Sequence, residues 1–425
     1  MTDMLLRFRG AALIGLLCLL ILAPGGRAAP RRGATEIQSP EVCGRLQVKG
    51  RFITCASGEP FRWRGVTGFR LVHQVARDEE ASARRYLSWA RDAGFNLIRV
   101  VSTATFLFDL SPEDGRAALP RALVLAREFG LYVEVIAVND SADRDYDWRL
   151  HSRLVAETCA AVDHCIFEFA NEPGHGLQDV RLHDMESVGR FASAAVDGLD
   201  VVWTAGPSWG DDMADSPSGA FVVRHLERAG TPWDMAQRLW GFERLSARLD
   251  RPVVSNEPIG FDEQPGAMTG RQRIVDCDAA LVFGALSRVL EVGTTFHLQA
   301  GLQNEGPGAL QRRCATDFIR GTRLVPDAVV LNARQVGDPL SPIESVVAGN
   351  AERVYAGTGS GRGLVVTFGA GGLPDLAWRP NVEAVLAIDR PEVRIWRVQL
   401  GDRTLGGSLW ESNPPLPSWT GGDRF

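Results

Sequence analysis

Two glutamates sit in the same tripeptide, Asn171-Glu172-Pro173 and Asn256-Glu257-Pro258. Each copy follows a short apolar run, Cys165 to Ala170 and Pro252 to Ser255, that reads as a buried strand. Each glutamate falls where its strand should stop, because the residue before a proline is pushed out of regular structure into a turn. Two carboxylates at the carboxyl ends of parallel strands are the minimum equipment for acid/base and nucleophilic chemistry on a glycosidic bond. A double displacement that retains configuration needs the two carboxyl groups about 5–5.5 Å apart. One must hold its proton for the leaving oxygen and the other must stay ionised, a division set by burial and by neighbouring charge.

The elements that would position such a pair are legible as an alternation. β-rich runs lie at Arg64 to Thr67, Phe95 to Ser102, Leu131 to Val138, Ile166 to Ala170, Asp200 to Thr204, Ala220 to His225, Pro252 to Ser255 and Thr294 to Leu298. Helical periods over Asp78 to Ala93, Pro112 to Phe129, Trp148 to Val162, His183 to Val196, Trp233 to Leu249 and Gly270 to Val292 separate most of them. Eight strand–helix units in roughly 250 residues predict an α/β fold, a (β/α)8 TIM barrel. An open doubly wound sheet lacks support: no G-x-G-x-x-G follows the first strand, and the glycine-rich stretch Gly357 to Gly363 lies late, between strand-like runs. Short runs at Arg45 to Lys49 and Arg51 to Thr54 precede the barrel as a β-hairpin. After about Asp327 the helical period disappears, and short β-type runs divided by glycine and proline predict a small β-sandwich followed by an irregular tail.

Barrel chemistry is built at the C-terminal strand ends. Those ends supply Arg99 on the second strand, Asn139 after the third, Asn171 and Glu172 after the fourth, and Trp209 after the fifth. His225 ends the sixth, Glu257 the seventh, and His297 lies on the eighth. Glu263 and Glu305 also lie near the last two strand ends and compete with Glu257. Trp148, Trp209, Trp233 and Phe261 are the aromatic candidates for a sugar cleft.

The segment Gly94-Phe95-Asn96-Leu97-Ile98-Arg99-Val100, then Phe169-Ala170-Asn171-Glu172-Pro173, then a glutamate on the seventh strand, resembles clan A of the retaining glycoside hydrolases. Gly58-Glu59-Pro60-Phe61-Arg62-Trp63-Arg64-Gly65-Val66 resembles the start of the barrel in family 5, the cellulase-like family. The resemblance covers roughly residues 45 to 320. It implies Glu172 as acid/base, Glu257 as nucleophile, Asn171 on the hydroxyl next to the reacting carbon, and Arg99 beneath the nucleophile. The chain departs from the family pattern elsewhere. It has no histidine near the end of the third strand, His225-Leu226-Glu227 where His-x-Tyr is usual, and Phe296-His297-Leu298-Gln299 where a tryptophan ends the eighth strand. The catalytic pair therefore transfers better than the sugar-binding residues.

Composition narrows the alternatives. Lys49 is the only lysine and precedes the barrel, which argues against a Schiff-base aldolase. The seven histidines show neither H-x-H nor H-E-x-x-H spacing, so no metal or other cofactor is expected. A net charge of −6 offers no electrostatic footprint for nucleic acid. The expected partner is an oligo- or polysaccharide or a glycoconjugate. A catalytically inactive carbohydrate-binding barrel and a transglycosylase are the alternative readings.

Arg7 and Arg9, the apolar stretch Ala11 to Ala23 and the small residues before Pro30 read as a signal peptide over 1–29. The barrel is then expected over 30–326 and the β-domain with its tail over 327–425, in an exported (secreted or periplasmic) protein with no membrane span in its mature chain. Export makes disulfides the expectation for the six remaining cysteines. Proximity in sequence favours Cys43–Cys55, Cys159–Cys165 and Cys277–Cys314.

Overall fold

The structure is a computed structural model that describes residues 43–142, 146–207, 218–225, 232–262, 273–274, 277–298, 309–324, 344–345, 353–357, 362–368, 382–391 and 393–400. The expected signal peptide and Trp209, Glu263 and Glu305 lie outside these residues.

A hairpin opens the described chain, β1 (Gln47–Lys49) against β2 (Phe52–Thr54). Eight parallel strands follow: β3 (Arg64–Thr67), β4 (Leu97–Val101), β5 (Tyr132–Val138), β6 (Cys165–Ala170), β7 (Val202–Thr204), β8 (Val222–Arg224), β9 (Val253–Asp262) and, beyond the two-residue β10 (Arg273–Ile274), β11 (Gly293–Leu298). Pairing runs β8-β9-β11-β3-β4-β5-β6-β7, so β11 beside β3 closes the ring. The remaining seam between β7 and β8 is spanned by a backbone hydrogen bond from Ala220 N to Trp203 O at 2.8 Å. This is the nearly closed (β/α)8 barrel that the alternation predicts.

The helices are α1 (Leu71–Ala76), α2 (Glu80–Ala93), α3 (Thr105–Phe108), α4 (Pro112–Glu128), α5 (Trp148–Ala160), α6 (Met185–Val196), α7 (Pro232–Leu249), α8 (Cys277–Leu290) and α9 (Ala309–Thr322). Their starts follow capping chemistry. Ser111 accepts from Asp114 N with Pro112 at the first helical position, and Asp147 and Asp184 cap α5 and α6. The short α1 and α3 and the final α9 went unread in the sequence. β5 and β6 are buried at every position, which is why they read as continuous apolar runs rather than alternating ones.

The barrel's N-terminal end is plugged. Leu46 and Ile53, in and beside the hairpin, pack with Trp63, Leu97, Tyr132, Ile166, Val202, Phe221 and Val254, which lie within one residue of the starts of successive strands. Cys43–Cys55 staples that plug. Cys159–Cys165 ties α5 to β6, and Cys277–Cys314 ties α8 to α9. All three expected pairs are thus at bonding distance. Lys49 is exposed at the turn of the hairpin, remote from any interior chemistry.

The C-terminal part forms one five-stranded antiparallel sheet among the described residues: β12 (Glu344–Ser345), β13 (Arg353–Gly357), β14 (Arg362–Phe368), β16 (Val393–Leu400) and β15 (Val382–Asp389) in that order. Leu364, Val366, Val393 and Ile395 alternate onto one face, which joins the apolar core of the barrel. Arg390, in the turn between β15 and β16, reaches Asp278 at the start of α8 and Asp317 of α9, the latter at 2.6 Å. No described helix is long and apolar enough to cross a membrane.

Arg390→Ala strips the shared cation from two mostly buried carboxylates. It should lower unfolding free energy by about 2–4 kcal/mol. Denaturant titration should show this loss, with Arg390→Lys recovering part of it.

Candidate active site

The site grows upward from a buried charge. Arg99 on β4 has no solvent exposure. Its guanidinium forks onto Glu168 of β6, with Nε and Nη2 at 2.8 and 2.7 Å from the two carboxylate oxygens. Nη2 also donates to Asn171 Oδ1 at 2.9 Å, and Nη1 donates to Glu257 Oε1. Glu134 of β5 lies beside Arg99 in register and 3.7 Å from its Nε. Phe69 covers the guanidinium, 5.6 Å from ring centre to Cζ. Groups on β4, β5, β6 and β9 can meet only inside the barrel, so this is its polar floor.

Burial works against the Arg99 charge, but the charges of Glu168 and Glu257 outweigh it and hold the pKa above its ordinary value. Glu134 goes the other way. Burial first, then the nearby Glu168 charge, pushes its carboxyl well above the usual range, against the pull of Arg99. Asn256 Nδ2 sits between the two carboxylates, 3.4 Å from Glu134 Oε1 and 3.2 Å from Glu168 Oε2.

Above this floor stand the two predicted glutamates. Asn171 N still bonds to Val138 O at 2.9 Å, so the chain leaves β6 only after Ala170. Pro173 then takes the second place of a turn closed by His175 N on Glu172 O at 2.8 Å. Glu172 itself has φ +45°, a left-handed conformation that costs a non-glycine residue about 1–2 kcal/mol. The neighbouring loop passes so close that a Cβ on Gly206 would lie 1.8 Å from Ala170 O, and only glycine fits there.

The second Asn-Glu-Pro behaves differently, which corrects the expectation that its strand stops there. β9 runs on to Asp262, and its register with β11 shifts between Ser255 and Ile259. The tripeptide is a bulge inside a strand. Such bulges bend a strand and re-aim a side chain, and this one carries Glu257 onto Arg99.

His225, just past β8, joins the two. Its Nδ1 is 2.9 Å from Glu172 Oε1 and its Nε2 is 3.7 Å from Glu257 Oε1. His297 Nδ1 on β11 lies 3.6 Å from the other Glu257 oxygen, its ring edge-on to Phe69. One oxygen each from Glu172 and Glu257 and a His225 nitrogen all lie within 4.8 Å of one another. That separation suits a double displacement, and the same three groups could hold a divalent cation.

Of the predicted residues, Arg99, Asn171, Glu172, His225, Glu257 and His297 are brought together. Asn139 is half-buried at the end of β5, its carbonyl accepting from Gln178 Nε2 at 2.9 Å. Trp148 does not face a cleft: it is buried against Phe169 and Phe191, with Nε1 on Asp179. Glu134, Glu168, Asn256 and Gln178 were missed. The first two had a signal, since a lone carboxylate in an otherwise apolar parallel strand must face a buried partner.

No protein-family model and no curated protein matches the chain. Solved structures do. A glycoside hydrolase family 5 protein from Bacteroides vulgatus ATCC 8482 superposes with a TM-score of 0.56 at 14% identity, over 88% of this chain and 97% of that one. Another glycoside hydrolase gives 0.55 at 14% identity, over 86% and 98%. At this identity the likeness is one of fold: the chain has the barrel found in glycoside hydrolases of family 5.

Because the fold raises the Glu134 pKa, by burial first and then by the Glu168 charge, the stability carried by its proton is whole below the unfolded pKa of about 4.3. It is lost as pH rises through the folded value. Glu134→Gln is neutral throughout, so its stability relative to wild type should climb across that window. Melting curves that stay parallel from pH 4 to pH 9, on the order of five units, would show that Glu134 does not hold a proton.

Proposed function

We propose that the chain is a retaining O-glycoside hydrolase acting on a β-linked oligo- or polysaccharide or glycoconjugate, with Glu172 as acid/base and Glu257 as nucleophile. The observation that carries this reading is the approach of the two carboxylates to within 4.8 Å, with Arg99 on one and His225 on the other. The fold shared with family 5 glycoside hydrolases supports it.

In the first displacement Glu257 attacks the anomeric carbon as the bond to the leaving oxygen breaks, and Glu172 gives that oxygen its proton. In the second, Glu172 takes a proton from water, the water oxygen displaces Glu257, and the sugar leaves with its configuration retained. Arg99 keeps Glu257 in its attacking form and orientation. Asn171 spends Oδ1 on Arg99, which leaves Nδ2 to donate to the hydroxyl beside the reacting carbon. His225 steers the Glu172 carboxyl toward its partner, and His297 backs Glu257. Asn139 and Trp209 complete the proposed sugar contacts. Under this reading residues 1–29 are a signal peptide, 30–326 the catalytic barrel and 327–425 an appended β-domain, and the protein is exported.

Aryl β-glycosides, β-glucans, mannans and host-type glycans form the test panel. Glu172→Gln should cut kcat/KM on unactivated substrates by on the order of 100-fold or more, and Glu257→Gln should abolish turnover of every substrate. Azide added to Glu172→Ala should yield a glycosyl azide of the substrate's own configuration. Full activity in Glu257→Ala would sink the assignment. Sugar binding without turnover in the wild type would make the barrel a binding module, and activity abolished by EDTA would hand Glu172, His225 and Glu257 to a metal.

A further inference from the structure

The left-handed backbone of Glu172 is held from one side chain that touches no reacting atom. Gln178 is 2% exposed and lies in the loop that follows β6. Its Nε2 faces the carbonyls of Asn171 at 2.5 Å, Asn139 at 2.9 Å and, more distantly, Val138 at 3.5 Å. Its Oε1 accepts from Ser141 Oγ at 2.8 Å, and that hydroxyl accepts in turn from Asp179 N at 2.9 Å. Because Ser141 Oγ already receives a backbone proton, its own hydrogen is free to go to Gln178, which agrees with the orientation of the amide.

The backbone closes a ring around this contact. Gln178 N donates to His175 O at 2.9 Å, and His175 N donates to Glu172 O at 2.8 Å. Ser141 N and Ala142 N both donate to Leu177 O, at 2.8 and 2.9 Å. The chain therefore leaves Asn171, turns at Glu172 and Pro173, and returns in Gln178 to grip the Asn171 carbonyl. The same amide grips the end of β5.

We infer that Gln178 is a positioning residue for the proton donor, a role that rests on the reading of Glu172 as the acid/base. By clamping the carbonyls of Asn171 and Asn139 it fixes the twist at which β6 ends, and hence the direction in which the next residue projects its carboxyl. Glu257 makes its attack from β9 and hangs from Arg99, so loss of the clamp leaves the nucleophile in place. The defect must then be larger in proton transfer to the leaving group, a selective loss on substrates that need it beyond any loss through Asn171 that all substrates share.

Gln178→Met keeps the volume and removes both ends of the amide. kcat/KM, which reports the first displacement, is measured on phenyl and 2,4-dinitrophenyl β-glycosides of the sugar that the wild type hydrolyses, with Glu172→Gln alongside. Glu172→Gln should lose on the order of 100-fold or more on the phenyl glycoside and little on the dinitrophenyl one. Gln178→Met should show the same selectivity with a loss of about tenfold. Ser141→Ala, which frees Oε1 and the Asp179 N–H but leaves Nε2 on its carbonyls, should show a smaller selective loss, and it decides the matter if Gln178→Met does not fold. Equal losses on both substrates, or none, while Glu172→Gln stays selective overturn the role of Gln178 alone. If Glu172→Gln does not discriminate, the assignment of the acid falls and the role of Gln178 falls with it.

Discussion

Arg99 is enclosed by carboxylates from three other strands, with Glu168 in a two-pronged contact, Glu257 on Nη1 and Glu134 farther off at 3.7 Å. A charge without water is tolerated only when opposite charge and hydrogen bonds replace the lost solvation. One cation does not balance three carboxylates, and the excess negative charge favours keeping a proton among them. It falls to Glu134, whose contact with Arg99 is the longest and whose neighbour is Glu168. The arrangement leaves the Arg99 charge to Glu168 and Glu257. Removing Arg99 would strand the buried Glu168 and Glu257 charges, at a cost of about 3–5 kcal/mol. The orientation of Glu257 and of Asn171 both depend on this balance.

The two Asn-Glu-Pro copies show how far identical tripeptides diverge once tertiary context acts. In the first, the strand ends and Pro173 opens a turn. Asn171 stays half-buried at the mouth, and Glu172 takes a backbone conformation that the loop must enforce. In the second, hydrogen bonding to β11 resumes after a bulge, and Asn256 is wholly buried, its amide shared by Glu134 and Glu168. One asparagine is available to a ligand while the other belongs to the floor. Both glutamates nonetheless arrive at the same place, one from a strand end and one from a strand interior.

Much of this was readable because the physics is local. The period change between helix and strand acts over a few residues and carried the barrel, and order along the chain, at separations of 12, 6 and 37 residues, suggested the three cysteine pairs. The strand ends of a barrel converge by construction, so Glu172, His225 and Glu257 could be placed at one mouth by order alone, with Arg99 and His297 on strands of the same ring. What could not be read was long-range or conformational. The β9 bulge depends on register with β11. Whether Trp148 faces a cleft depends on Phe191, 43 residues on in the chain. Gln178 is invisible because an amide in a loop carries no signal until the carbonyls it meets are known. The β-sandwich expectation is borne out in part: the described strands make one small antiparallel sheet, one face of which joins the barrel's apolar core.

Solvent exposure is graded along the proposed site, and the gradient bears on the division of labour. Side-chain exposure falls from 20% at Glu172 to 10% at His225, 5% at Glu257 and 1% at His297. A proton donor must exchange protons with bulk water between turnovers and must meet a leaving group that departs outward. A nucleophile benefits from the reverse, a dry position in which a fixed cation replaces solvent and no water competes for the reacting carbon. Among the described residues the hairpin plugs the barrel's lower end, so water for the proposed second displacement would come from the mouth, on the side of Glu172. The more exposed carboxyl is therefore the one placed to deprotonate it, and exchanging the two roles would put the base on the side that water does not reach.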